Sequence, residues 1–251
     1  MSSSIRADTI QSGSPPSVLV TGASGGIGRA ISLAFGKAGW FVGIHYNTNE
    51  CSAEATLRLS TAGGGTGRLY QADIRVVRSV RKMIDQFCHD VHGPYTFVCN
   101  AGIAASGLLL KQRETEWNEV LTTNLTGTFH CLKIMAPPLI EQGGGSIVVI
   151  GSYAGCQGTT GQAAYAASKA GLIGLVKTAA QEWGRFHVRV NILLPGWQTT
   201  GLSEGAIPED CSADHALRRS PSIEEVAHTV LHLSQLHDVS GQVWNCDSRI
   251  L

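Results

Sequence analysis

The stretch Ser17-Val18-Leu19-Val20-Thr21-Gly22-Ala23-Ser24-Gly25-Gly26-Ile27-Gly28 decides how this chain is read. Its first four residues are apolar and partly β-branched, the composition of a short buried strand. A glycine-rich turn follows at once, and over residues 29–37 the apolar Ala30, Leu33, Ala34 and Phe35 take up helical spacing. Glycines let the backbone bend tightly and come close to a diphosphate, and a helix N-terminus adds unpaired N–H groups and a favourable dipole. A glycine-rich turn alone is a weak signal. Its place after the first strand and before the first helix gives it weight. The turn is expected to bind a dinucleotide through Gly22, Ser24, Gly26, Ile27 and Gly28.

Outward from this turn the pattern repeats. Strands are expected over residues 40–45, 68–71, 95–99, 146–150, 188–193 and 242–245. Helices are expected over 52–60, 77–89, 114–136, 163–183 and 223–236. Residues 63–67 read as a loop, and Pro137 and Pro138 should interrupt the helical pattern before them. Strands that are apolar on both faces and alternate with helices imply a parallel sheet covered on both sides. Right-handed crossovers make it an α/β, doubly wound, Rossmann-type sheet. Residues 17–251 read as one such domain, with no linker or repeat to divide it. Residues 1–16 are serine-rich, lack the apolar core of a secretory signal, and read as a disordered tail.

Composition narrows the function. The 251 residues carry 19 Lys plus Arg against 19 Asp plus Glu, with no basic stripe to suggest nucleic acid or an anionic membrane. No apolar run is long enough to span a bilayer. The seven cysteines form no CxxC pair and are expected to be buried free thiols, which fits a reducing, cytoplasmic setting. The nine histidines show no metal-binding spacing, so no metal is expected.

Tyr165 and Lys169 are four residues apart in an alanine-rich helix, on one face. Free tyrosine, with a pKa of about 10, is a poor proton shuttle at neutral pH. A neighbouring ammonium is expected to lower that value, so that the pair can give a proton to a ketone or take one from an alcohol. Ser152 follows a strand at the carboxyl edge of the sheet, where a hydroxyl can hold a substrate oxygen. Asn124 lies in a helical stretch that it does not favour. It is expected to hold a water or a backbone group in a proton relay to Lys169.

The spacing TGxxxGxG over Thr21 to Gly28 resembles that of the short-chain dehydrogenase/reductase family. The resemblance extends over nearly the whole chain and implies that Asn124, Ser152, Tyr165 and Lys169 form a catalytic tetrad. It further implies cofactor contacts from Asn100-Ala101-Gly102, from Asp73 and Ile74 at the adenine, from Pro195, Gly196 and Thr200 at the nicotinamide, and from Tyr165 and Lys169. After the second strand the chain reads His45-Tyr46-Asn47-Thr48-Asn49, with no carboxylate before Glu50. Without a charge to repel a 2′-phosphate, NADPH is expected over NADH, held by Ser24 and Asn47.

Within the family the likeness is to 3-oxoacyl-[acyl-carrier-protein] reductases, carried by TGASGGIGRAI, NAGI, TTNLTGTF, AAYAASKAGLIGLVK and VRVNILLPG. It implies reduction of a 3-oxoacyl thioester to the 3-hydroxyacyl form in fatty acid biosynthesis, by a homotetramer. Two other readings stand beside it. One is a reductase of another small carbonyl, such as a sugar, quinone or polyketide intermediate. The other is a weakly active dinucleotide-binding subunit of a hetero-oligomer. Two departures bear on the substrate. Residues 198–220 form a shorter segment than usual, and the end, Asn245-Cys246-Asp247-Ser248-Arg249-Ile250-Leu251, lacks the family's Asp-Gly-Gly. Arg218, Arg219 and Arg249 read first as ordinary solvated arginines, and second as contacts for acidic groups of a carrier protein.

Overall fold

A computed structural model of the chain describes residues 15–198, Thr200 and residues 213–251. The expected tail, save Pro15 and Pro16, lies outside them, as do Cys211 and most of the segment after Gln198. The strands are β1 (Ser17–Val20), β2 (Phe41–Tyr46), β3 (Thr66–Gln71), β4 (Tyr95–Cys99), β5 (Gly145–Ile150), β6 (Val188–Pro195) and β7 (Val243–Cys246). The helices are α1 (Gly26–Lys37), α2 (Glu50–Ala62), α3 (Val77–Asp90), α4 (Glu114–Leu121), α5 (Thr128–Glu141), α6 (Ala154–Gln157), α7 (Ala163–Trp183) and α8 (Ile223–Gln235).

The strands form one parallel sheet in the order β3-β2-β1-β4-β5-β6-β7. The chain winds outward from β1 to β3, returns to β4 beside β1, and winds out the other way. The carboxyl ends of β1 and β4 therefore part at a switch point, where such sheets leave a crevice for ligands. Side-chain alternation divides the core into two layers. Leu19, Phe97, Ile147 and Val190 face α3, α5 and α7 through Phe87, Met135 and Leu172. Val18, Val20, Val42 and Val148 face α1 and α8 through Ile31, Phe35, Val226 and Val230.

Several expectations are corrected. The helix foreseen over 114–136 is three pieces: α4, a π-helical turn at Thr122–Gly127, and α5. Pro137 and Pro138 do not end the pattern but lie inside α5. There they remove only two late N–H donors, and the buried Met135, Ala136 and Leu139 hold the turn in place. Strand β3 begins at Thr66, within the expected loop, because its pairing with β2 starts at Phe41 opposite Thr66. β6 runs on to Pro195 through its pairing with β7. Among the described residues the six cysteines are free, and of these only Cys99 and Cys131 are buried. Cys88 and Cys246 are half-buried, and Cys51 and Cys156 are exposed.

Candidate active site

The glycine turn is shaped so that no side chain fits at Gly22 or Gly28. Gly22 has φ +64°, and a Cβ there would stand 2.8 Å from the Ala101 Cα. A Cβ on Gly28 would stand 2.3 Å from the Gly22 carbonyl oxygen and 2.5 Å from Asn100 Nδ2. Gly25 caps α1 in extended conformation with no side-chain hydrogen bond, and α1 has no acidic residue in its first turn. Nothing lies within 4 Å of where a Gly25 Cβ would be. The start of α1 therefore has no side-chain cap from Gly25 and no first-turn carboxylate to compensate its dipole. This cradle fits a diphosphate.

The turn is braced from behind. Thr21 Oγ1 accepts from the N–H groups of Asn100 (2.9 Å) and Ala101 (3.1 Å). Asn100 Nδ2 donates to the carbonyls of Thr21 (2.9 Å) and Gly22 (3.1 Å). On the other side the Gly22 N–H donates to His45 Nδ1 at 2.9 Å, and the Ala23 N–H to the His45 carbonyl at 2.9 Å. Since Nδ1 accepts, the ring proton sits on Nε2, which donates to the Ala72 carbonyl at 3.0 Å. Burial pushes the His45 pKa down to about 4, so the ring is neutral at physiological pH. A histidine inside the apolar run of β2 gave no signal of this role in the sequence, nor did Thr21 beyond its place in the glycine motif.

At the far end of the turn, Asp73 is engaged differently from the expectation. Both of its carboxylate oxygens are held by the Arg75 guanidinium, at 2.7 to 3.1 Å. That hydrogen bonding holds the Asp73 carboxyl below the usual range. Ile74 is buried against Gly127, and its carbonyl lies 3.1 Å from His130 Nδ1.

Ser152, Tyr165 and Lys169 line one cleft beyond the carboxyl ends of β4 and β5, together with Ile27, Asn100, Gly102, Pro195, Gly196 and Thr200. Thr200 folds back onto the glycine turn, where its Cγ2 stands 3.2 Å from where a Gly26 Cβ would be. Gly22, Gly26, Gly28 and Ala101 are not among the residues that line the cleft. Ser24, Asn47, Asp73 and Ile74 lie outside it.

Helix α7 delivers the central pair. Ala164, Ser168, Leu172, Val176 and Ala180 form its buried i, i+4 stripe, which turns the neighbouring Tyr165 and Lys169 toward the cleft. Lys169 Nζ donates to the Ile150 carbonyl at 2.8 Å and lies 5.6 Å from the Tyr165 ring centroid. Burial lowers its pKa to about 8. Tyr165 departs from expectation: burial raises its pKa, opposed only by the Ser152 hydroxyl. The Lys169 ammonium donates to a backbone carbonyl and is itself desolvated, and burial of the phenol outweighs its neighbours. The Ser152 Oγ accepts from the Ala154 N–H at 3.2 Å.

Asn124 is fully buried in the π-helical turn and does not reach the cleft. Its Oδ1 accepts from the Ile103 N–H (2.8 Å), and its Nδ2 donates to the Ile103 carbonyl (2.9 Å) and to Ser168 Oγ (3.1 Å). Of the two roles expected of it, holding a backbone group is the one this geometry contains. The clasp ties the segment after β4 to the helix that carries Tyr165 and Lys169.

The chain matches the short chain dehydrogenase family over residues 16–210, a span that contains the glycine turn and every residue of this site described so far. The chain belongs to the short-chain dehydrogenase family. It is therefore a nicotinamide-dinucleotide-dependent oxidoreductase acting on CH–OH groups and the corresponding ketones. Relatives include the 3-oxoacyl-[acyl-carrier-protein] reductase FabG of Staphylococcus epidermidis, 36% identical over 222 residues that cover 87% of this chain and 91% of that protein. FabG of Staphylococcus aureus is 34% identical over 221 residues, covering 87% and 90%. The 3-oxoacyl-[acyl-carrier-protein] reductase of a Synechocystis species is 36% identical over 232 residues, covering 91% and 94%. No helix among the described residues is long and apolar enough to cross a membrane.

Proposed function

We propose that the protein uses NADPH to reduce a ketone to a secondary alcohol, and that its substrate is a 3-oxoacyl thioester on acyl carrier protein. The observation that carries this reading is the convergence of Ser152, Tyr165 and Lys169 on one cleft beside the glycine turn. When bound, the nicotinamide supplies a hydride to the carbonyl carbon. Ser152 holds the carbonyl oxygen, with its own oxygen oriented by the Ala154 N–H. Tyr165 gives its phenolic proton to that oxygen as charge develops there. A raised pKa keeps the phenol protonated, the state that reduction needs. Lys169 sits where its ammonium steadies the resulting phenolate, and Asn124 holds α7 in place through Ser168.

The preference for NADPH rests on charge. No carboxylate lies between Tyr46 and Glu50, and Glu50 itself accepts from the Tyr46 hydroxyl at 2.9 Å. The Arg29 guanidinium is bound only by neutral oxygens, those of Ser24 (2.8 Å), Thr56 (2.9 Å) and Ser52 (3.3 Å). Its charge favours a 2′-phosphate held by Ser24 and Asn47. The relatives' names support the thioester, and the tetrameric assembly implied by the resemblance goes with this reading.

The test is NADPH oxidation by the purified protein against acetoacetyl thioesters, simple ketones and quinones. Tyr165→Phe should cut turnover at least ~100-fold while NADPH fluorescence titration shows unchanged binding. Undiminished turnover would refute the role given to Tyr165. A kcat/KM with NADH equal to that with NADPH would refute the cofactor preference.

A further inference from the structure

Arg249 is the one expected surface arginine whose surroundings are those of a built site. Its side chain is only 12% exposed, and it lines the same cleft as Ser152 and Tyr165. The guanidinium carbon stands 3.9 Å from the Tyr153 ring centroid, so the planar cation is stacked on an aromatic face. Nε donates to Asp247 Oδ2 at 2.9 Å, Nη2 donates to the same oxygen, and the Arg249 N–H donates to Asp247 Oδ1 at 3.1 Å. The backbone is pinned as well. Asn245 Nδ2 donates to the Arg249 carbonyl at 2.7 Å, and the Tyr153 hydroxyl to the Ile250 carbonyl at 3.2 Å.

The charge held this way is not used up within the protein. Asp247 is fully buried and shared: its Oδ1 lies 2.9 Å from His215 Nε2, off the line of a hydrogen bond. Arg249 Nη1 makes no hydrogen bond among the described residues. Around the cleft, the charged side chains among the described residues are Lys169 and Arg249, with no carboxylate. Lys169 is committed to the Ile150 carbonyl behind Tyr165. Arg249 is therefore the cation left for whatever occupies the cleft. Asp247 meets Nε and Nη2, so Nη1 is the part of the guanidinium left without a protein partner among the described residues.

We propose that Arg249 is a specificity-determining residue that recognises an oxyanion carried by the ketone substrate. This rests on the carbonyl reduction proposed above and narrows its substrate class. The oxyanion has two possible sources with the same chemistry: a carboxylate on the acyl part, or the phosphate of a phosphopantetheine arm. The charged N–H donors of Nη1, which Asp247 leaves over, suit either.

Three ketones separate the cases: acetoacetate, acetoacetyl-phosphopantetheine, and the neutral acetoacetyl-N-acetylcysteamine. For Arg249→Met, kcat/KM should fall tenfold or more, through KM, for one or both of the anionic ketones. It should change less than twofold for the neutral one, with NADPH affinity unchanged. The anionic ketone that responds names the source. An equal effect on all three ketones, no effect on any, or a weakened NADPH affinity would overturn the proposal. Because Arg249→Met strands the Asp247 carboxylate, the double variant Asp247→Asn/Arg249→Met is measured beside it and should show the same selective loss. If the wild type turns over none of the three, the proposed reduction fails by itself. Calorimetry of acetoacetate and phosphopantetheine on the NADPH-loaded protein then decides on Arg249. Binding that the Arg249→Met variant loses supports the proposal, and absent or unchanged binding overturns it.

Discussion

His45 stays neutral because burial outweighs the pull of the Ala72 carbonyl and the Asp73 charge, and its two ring nitrogens meet a backbone N–H and a backbone carbonyl. Its pKa is 6.5 unfolded and about 4 folded, so between these values the unfolded chain binds more protons. Stability therefore falls as pH drops from 6.5 to 4, by roughly 3 kcal/mol for a shift of this size. His45→Gln should lose that one-proton slope and, at pH 7, about 1–2 kcal/mol, since glutamine cannot meet both partners at this separation. Urea unfolding across that pH range reads both effects, and an unchanged slope would count against the assignment. Gly28 is the opposite kind of residue, required for what it lacks. Gly28→Ala puts a methyl 2.3 Å from the Gly22 carbonyl, so the turn must open. NADPH affinity should fall at least ~10-fold by fluorescence titration, and near-native affinity would show that the turn does not hold the diphosphate. Gly28 was legible because its requirement is written as spacing. His45 was not, because a polar side chain that satisfies backbone groups inside an apolar strand leaves no periodic mark.

At the level of elements, hydrophobic period placed the sheet and most helices, but it could not see the π-helical turn. Thr122–Gly127 is rich in Thr, Asn and Gly, poor helix formers, but composition does not say that a helix widens there, and it is Asn124 that holds the wider turn through Ile103 and Ser168. The proline pair misled for the complementary reason: local propensity spoke for a break, and the packing of Met135 and Leu139 overrode it. Asn124→Ala would leave the Ile103 N–H and carbonyl without their partner in a buried site. Each lost partner costs about 1–3 kcal/mol, so the variant should lose roughly 2–4 kcal/mol of stability. Its kcat should also drop well below what the remaining folded fraction accounts for, because α7 loses its tie to the segment after β4. Parallel denaturation and initial-rate measurements decide this. A kcat in proportion to the folded fraction would make Asn124 structural only.

For the whole molecule, a doubly wound parallel sheet followed from alternation and crossover handedness, whereas the chemistry of the cleft's outer rim did not. Arg249 comes to the cleft across nearly the full chain from the glycine turn, and a lone arginine near a terminus carries no pattern. The same burial that builds the fold sets how the expected catalysis depends on pH. Lys169, with a pKa of 10.5 unfolded and about 8 folded, is disfavoured as an ammonium by its surroundings. Its folded pKa is the lower one, so that penalty is fully present below pH 8 and is relieved as pH rises from 8 to 10.5. Lys169→Met should therefore be more stable than the parent at pH 7, by about 1–2 kcal/mol after loss of the bond to Ile150, and far less active. Reduction needs a protonated Tyr165 and a charged Lys169, so its rate should stay flat below pH 8 and decline above it. Alcohol oxidation needs the phenolate and should rise with pH across the same range, because burial holds the phenol protonated. Initial rates in both directions from pH 6 to 10, with the decline near pH 8 absent from the residual reductase activity of Lys169→Met, would tie the profile to this lysine. The same decline in that variant would detach it.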